Sequence, residues 1–500
     1  MLMVGSLISK VFGILREFSM AAIFGTQATT DSWLMASIIP NLMYGLVSNT
    51  ITNVVVPVLS GHIEVENNGE RVQVYMDEVF TWIVSGSIIL VVVGEIVSSQ
   101  LIHWIAPGFT GLRYHLSVIM LRIMLPTLPF TGLGALINGI LQSKRIFVPA
   151  TVTPIIINVF RLVGIVALGL WVGITGVAIG FVAAQVAQVA YLVPTLASHN
   201  IRLRPRFTAS HPWTRQSARL AVPFLVSHGA TVGGTVVDRI FASTLTVGRI
   251  AALNFANVLA TLPINLLITP IISPLYTQLS KAFNADDDAG FRKGLEGGFE
   301  LVTMVIMPLC LGFVILRAPI VRTLYQHGAF NGQSTAVTAP LLMYWAIGLP
   351  SGALGTLFSR GLFAQRLTQV PAMMSVVAIV ANVVGDFVLI HPMHAAGLAL
   401  ATSLASWVRM LGLGSWLYAR GGNPAPRLKF ALAQTAALAV FCAILFGGVF
   451  IFRLQATPFG VALVGGTLLT ALAALVAYVL ILRGMGITPK LGRRFTRSTS

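Results

Sequence analysis

Several ionisable side chains stand inside stretches of this 500-residue chain that are otherwise apolar. The first stretch carries Lys10, Arg16 and Glu17, and Asp31 opens the second. Asp238 and Arg239 stand side by side in the seventh. Others are Glu95, Arg122, Arg161, Arg219, Glu300, Arg360, Asp386 and Arg409. A charge within a bilayer is costly unless paired or hydrated, so each residue marks a site by default. Cations lining a cavity suit a phosphate or pyrophosphate group, because guanidinium forks match its oxygens. The competing explanation is ion pairing between helices, for example Arg16 with Asp31 or Arg239 with Asp238. Arg122 and Arg219 lie near span ends and suit snorkelling to the interface.

A second constellation is rich in oxygen. Asn382 and Asp386 are four residues apart and share one helix face. Thr402 follows beyond the short turn HPMHA at 391–395. Asp238 would complete an oxygen cage. Hard cations take such ligands, so the set suits Na⁺ or H⁺ coupling. The competing explanation is a hydrogen-bonded packing cluster between helices.

Composition dictates the elements that must position these groups. Hydrophobic residues make up 56% of the chain and charged ones 9%, with a mean hydropathy of +0.85. A soluble domain carries about 25% charged residues, so the solvent is a bilayer. Apolar runs of about 20 residues recur from end to end and predict about fourteen spans. The fold class is therefore an all-α polytopic membrane protein. The 47 Gly and 24 Pro predict kinked, closely packed helices. Cys310 and Cys442 lie far apart in apolar runs and read as small core residues. The first apolar run passes Lys10 and Arg16 with no small-residue cleavage site, so no removable signal is expected.

Lys and Arg divide unevenly between the two sets of connections, about nineteen against about five. The richer set is cytoplasmic by the positive-inside rule. Both termini are then inside. The net charge of +17 sits in these connections and in the tail, which favours anionic lipid over nucleic acid as its partner.

The chain also repeats itself. LPFTGLGALINGILQSKRIFVPA at 128–150 is echoed by LPSGALGTLFSRGLFAQRLTQVPA at 349–372, and GITGVAIG at 173–180 by HAAGLALA at 394–401. The offset is about 220 residues and spans six helices. Two parallel six-helix lobes with a cavity between them follow. The predicted divisions are 1–200 for the first lobe, 201–425 for the second, 426–485 for helices 13 and 14, and 486–500 for a basic cytoplasmic tail.

Motifs in order along the chain resemble one family. They are SKVFGILRE, FGTQATTDSW, IPNLM, VVVPVLS, APGF, VPA…PIIIN, VDRIFAS and LYQHGAF. Singly they are weak; in this order over fourteen spans they resemble the MurJ (MviN) lipid II flippases of the MOP exporter superfamily, which includes the MATE type. The resemblance implies alternating access in a bacterial inner membrane. Its cargo would be an undecaprenyl-pyrophosphate-linked peptidoglycan precursor. It implies head-group contacts at Lys10, Arg16, Glu17, Asp31 and Arg239. It also implies Na⁺ ligands at Asp238, Asn382, Asp386, the Leu398 carbonyl and Thr402, with no other cofactor. Membrane lipids and cell-wall synthesis proteins are the implied partners.

Three departures bear on the cargo. Lys10 stands where the family has Arg, and Tyr44, Gly45, Asn49 and Thr50 replace the family's Arg-Arg and Glu-Gly on helix 2. Ala256, Asn257, Val258 and Leu259 replace its Ala-Asp-Arg-Leu on helix 8. A paralogous flippase for another lipid-linked oligosaccharide is thus the alternative, and a MATE-type multidrug exporter a weaker one. A membrane glycosyltransferase is disfavoured, since the longest outer connection, around 317–333, offers only His327, and no P-loop, HExxH or paired Cys ligands occur.

Overall fold

Helix-favouring apolar runs broken by Gly, Pro and short polar turns dictate an all-helical chain. The computed structural model describes residues 2–63, 69–208, 211–422, 427–454, 457 and 459–487, and every regular element among them is helical. In chain order these are α1 (Leu2–Phe24), α2 (Ala28–Gly61), α3 (Gly69–Ile105), α4 (Gly111–Met124), α5 (Thr127–Ser143), α6 (Val148–Val172), α7 (Ile174–Ser198) and α8 (Pro212–Ser243). They continue with α9 (Arg249–Asn284), α10 (Asp288–Ile315), α11 (Arg317–Tyr325), α12 (Gly332–Ala364), α13 (Gln369–Met393), α14 (Ala395–Ala419), α15 (Leu428–Ile451) and α16 (Val461–Gly484). The basic tail lies almost wholly outside the described residues.

Widened π-helical turns interrupt α2 at Ile51–Val55, α6 at Gly164–Leu168 and α9 at Ile264–Ile268. Pro57 and Pro270 follow the first and third of these by two residues. A proline has no N–H for the turn before it, and its ring crowds the carbonyl four residues back, so the turn loosens.

Among the described residues eleven helices are long and apolar enough to cross a membrane, or twelve if α4 and α5, bent by 41°, form one span. The chain is thus a multi-pass membrane protein, but the predicted fourteen is not reached on that criterion. Two long helices account for the difference. Lys10, Arg16 and Glu17 fall together in α1 and dilute its apolarity. Part of α8 carries side chains outside the described ones.

Packing divides the chain into two units, Met1–Ala251 with His327–Phe330, and Ala252–Gln326 with Asn331–Ser500. Helix α8 counts with the first. The Tyr75 hydroxyl of α3 shares a hydrogen bond of 2.6 Å with Ser217 of α8. Just before α8, residues 201–208 are strapped along α3. Asp77 accepts from the Arg204 N–H at 2.8 Å, and buried Glu78 accepts from the hydroxyls of Thr208 and Thr214, each at 2.7 Å.

The repeat recurs as geometry, 221 positions apart. Within the first unit, Gly173 joins α6 to α7 with φ +74° and ψ −153°; within the second, His394 joins α13 to α14 with φ +51° and ψ −127°. Gly164 meets Gly180 backbone to backbone, and Gly385 meets Ala401. Gly176 packs on the Leu168 carbonyl, and Gly397 on that of Leu389. Arg145 and Arg366, with φ of 64° and 62°, end equivalent helices in the left-handed region.

His394 occupies a backbone conformation that its counterpart satisfies with glycine. Strain of this kind costs on the order of 1–3 kcal/mol, partly offset by the unfolded-state entropy of a new glycine. His394→Gly should therefore raise the thermal midpoint of the purified protein, by about 1 kcal/mol of added stability. A lower midpoint in a detergent melt would show that the imidazole makes contacts worth more than the strain.

Candidate functional site

The first polar constellation forms on a seam between α1 and α6. Small residues let the two helices close: Gly5 faces Thr151 and Gly13 faces Asn158. Asn158 donates to the Ser9 carbonyl at 3.2 Å and to its hydroxyl at 3.0 Å. In return it accepts from Arg16 Nη1 at 3.3 Å. Arg16 Nη2 pairs with Glu17 Oε1 at 2.6 Å. The partner of Arg16 is thus its sequence neighbour, and the Arg16–Asp31 pairing weighed from sequence is not the one formed. Lys10 is half-buried on the same helix.

Arg161 of α6 joins this seam. Its guanidinium carbon lies 3.9 Å from the centre of the Phe181 ring on α7. Arg16, Glu17 and Tyr44 are all within its electrostatic reach. The sequence marks Arg161 only as one intramembrane charge among many. The repeat offset was the available signal, because position 161 plus the offset is Asn382, already singled out in the other half.

The second constellation straddles α13 and α14. Asn382 Nδ2 donates to Asp386 Oδ2 at 3.0 Å, and Asp386 is fully buried. Across the Gly385–Ala401 contact, the Thr402 hydroxyl donates to the Leu398 carbonyl at 3.0 Å. Two i, i+4 pairs thus present an amide, a carboxylate, a hydroxyl and a backbone carbonyl from adjoining helices. An all-oxygen donor set of this kind fits a hard monovalent cation and not a soft transition metal. Among the described residues no group of three or more His, Cys, Asp or Glu converges as a metal site. Asp238, the fifth expected ligand, belongs to the first unit, half-buried on α8 next to Arg239.

Asp31 holds the start of α9 in this geometry. It is fully buried, and its two oxygens accept from the backbone N–H groups of Gly248 at 2.6 Å and Ala251 at 2.8 Å. A carboxylate at the start of α9 satisfies orphan donors and complements the helix dipole. Around it the chain is knotted. Gly248, at φ +81°, touches the Thr26 carbonyl; Gly328, at φ +56°, touches that of Ala22; and the Ala329 N–H donates to Ala22 at 2.7 Å. Nearby, Gly108 packs on Ser243 and Arg113 donates to the Leu245 carbonyl at 3.2 Å. The motifs FGTQATTDSW, APGF, VDRIFAS and LYQHGAF all feed this knot.

The family model described as lipid II flippase MurJ matches residues 20–464. The chain belongs to the MurJ family. A MurJ relative from Rhizobium tropici, described as a probable lipid II flippase, is 28% identical over 457 residues, covering 89% of this chain and 84% of its own. One from Rickettsia prowazekii, described in the same words, is 25% identical over 407 residues, covering 81% and 80%. A solved lipid II flippase MurJ in an inward closed conformation superposes with a TM-score of 0.80 at 22% identity, covering 97% of this chain and 99% of that one. An inward-facing MATE family transporter of the MOP superfamily gives 0.68 at 14% identity, covering 83% and 94%. These structures share the fold of this MurJ family member.

The knot makes a stability prediction. Asp31→Ala strips a charged acceptor from two buried N–H groups and should destabilise the protein by about 2–3 kcal/mol. A thermal melt in detergent reads this directly. Wild-type stability combined with lost ligand binding would instead make Asp31 a cargo contact.

Proposed function

We propose that this chain is a flippase that carries lipid II, the undecaprenyl-pyrophosphate-linked peptidoglycan precursor, from the cytoplasmic to the outer leaflet by alternating access. The observation that carries this is the family match across residues 20–464. The cargo needs three things, and the chain offers each. Its pyrophosphate needs cations in the membrane, supplied by Lys10 and Arg16, tempered by Glu17, and by Arg239. Its polyprenyl chain needs an apolar channel. A cavity of about 490 Å³ within the second unit is walled by Leu301, Met304, Val305, Phe441, Leu475 and Val479 of α10, α15 and α16. Its uphill movement needs an energy source. Asp238, Asn382, Asp386, Thr402 and the Leu398 carbonyl have the donor chemistry for Na⁺.

With α1 and α8 counted as spans the total is fourteen, and both ends face the cytoplasm by the distribution of Lys and Arg. The two repeat-related halves then move against each other, with the pair 426–485 appended. The bacterial inner membrane is the proposed location, its lipids and cell-wall synthesis proteins the proposed partners. The role is transport and not covalent catalysis. A second reading has a specific motive: Tyr44, Gly45 and Val258 replace cationic family positions, which suits a paralogue for another lipid-linked oligosaccharide.

Expression in a bacterium depleted of its own MurJ, with externalised lipid II measured, separates the two. Rescue is expected; a correctly inserted protein that gives none would favour the paralogue. In the same assay Arg16→Ala should abolish transport while insertion stays intact. In proteoliposomes Asp386→Ala should remove Na⁺ dependence, and a wild type indifferent to both Na⁺ and the proton gradient would end the coupling proposal.

A further inference from the structure

Two guanidinium groups meet on the α1–α6 seam, and each holds a donor in reserve. The Nε–H of Arg16 and that of Arg161 are both buried, and neither has a hydrogen-bond partner among the described residues. Buried charged donors are rarely left so, because each forfeits its hydration without replacement. The other contacts leave these edges open. Arg16 spends its two terminal nitrogens on Asn158 and Glu17. Arg161 lies with its face on Phe181 at 3.9 Å. Stacking uses the flat face of a guanidinium and keeps its in-plane N–H groups available to an anion. One carboxylate, Glu17, stands against the two cations, so the cluster retains positive charge. Tyr44 lies within electrostatic range of Arg161.

The repeat shows that this arrangement is particular to one half. Arg161 and Phe181 occupy the positions that Asn382 and Thr402 hold 221 residues later, and Ile165 stands where Asp386 does. The skeleton of the hairpin is kept, down to its glycine contacts, while oxygen ligands are exchanged for a guanidinium on an aromatic ring. A packing role alone would be served by apolar residues, as Ile165 already demonstrates.

We propose that Arg161 is a specificity-determining residue that, with Arg16, binds the pyrophosphate of a polyprenyl lipid through their free Nε–H groups. This rests on the flippase reading and deepens it: Arg161 supplies the cation that Tyr44 and Gly45 do not. The bound group is a diphosphate ester, whose oxygens accept from both forks.

The test measures binding of undecaprenyl pyrophosphate, uncharged undecaprenol and inorganic pyrophosphate to the full-length protein in phosphatidylcholine nanodiscs. Arg161→Gln should weaken undecaprenyl pyrophosphate about tenfold or more and leave undecaprenol unchanged. Arg161→Lys, which keeps the charge and loses the fork, should fall between. Adding Tyr44→Arg to Arg161→Gln should restore much of the loss, since it returns a cation to the same place. Wild-type affinity for undecaprenyl pyrophosphate in Arg161→Gln overturns the proposal. Equal loss of both lipids also overturns it, by assigning Arg161 to helix packing. Inorganic pyrophosphate should compete weakly; affinity equal to that of the lipid would make the ligand a soluble anion and overturn the lipid assignment. Should Arg161→Gln fail to insert, Arg161→Lys carries the test, and its equality with wild type overturns the role of the fork. Lipid II externalisation is scored separately. Tight, Arg161-dependent binding without rescue would sink the flippase reading and leave the site. Rescue by Arg161→Gln would do the reverse.

Discussion

Glycine lets two pairs of helices cross in close contact, and polar groups inside the membrane stand beside both crossings. Lipid tails are as apolar as leucine, so helices in a bilayer gain little from hiding apolar surface and associate through close packing and hydrogen bonds. Gly164 against Gly180, and Gly385 against Ala401, let neighbouring helices approach closely beside the polar groups. The Asn382–Asp386 and Leu398–Thr402 pairs flank one crossing, and Arg161 on Phe181 flanks the other. The glycines that predict close packing thus fall beside the polar groups inside the membrane.

Buried charge is handled in three ways along the chain. Asp31 is bound by backbone N–H groups at the start of α9. Glu78 is wrapped by the hydroxyls of Thr208 and Thr214, which ties the strap before α8 to α3. Arg16 leans on Glu17 and Asn158, and keeps one donor unspent. The first two are fully committed and read as scaffold; the third is not, and reads as a site.

Much of the fold was legible because its signals are local. Apolar runs locate spans, the Leu-Pro and Gly motifs reveal the repeat, and Asn382 and Asp386 share a face by spacing alone. What sequence could not resolve depends on three-dimensional meeting. Sequence shows Asp31 only as an intramembrane carboxylate; its oxygens sit on Gly248 and Ala251, more than 200 positions away. Arg161 looks like any membrane arginine until it is laid on Phe181 and beside Arg16. The span count fell short for a related reason: α1 carries Lys10, Arg16 and Glu17 together, and those charges keep it out of a tally based on apolarity.

The knot around Asp31 has a consequence for how the protein is made. Its segments come from residues 22–31, 243–251 and 327–330, and the last of these belongs by packing to the unit that otherwise ends at Ala251. During synthesis the first unit therefore emerges incomplete. Helices α9, α10 and α11 must leave the ribosome before Ala329 can reach Ala22. Until then the carbonyls of the α1–α2 turn lack their late partner, and domain-by-domain folding, the usual economy of long chains, is interrupted. The same interleaving means that a gene cut between the two units would yield a first fragment missing its own closing loop.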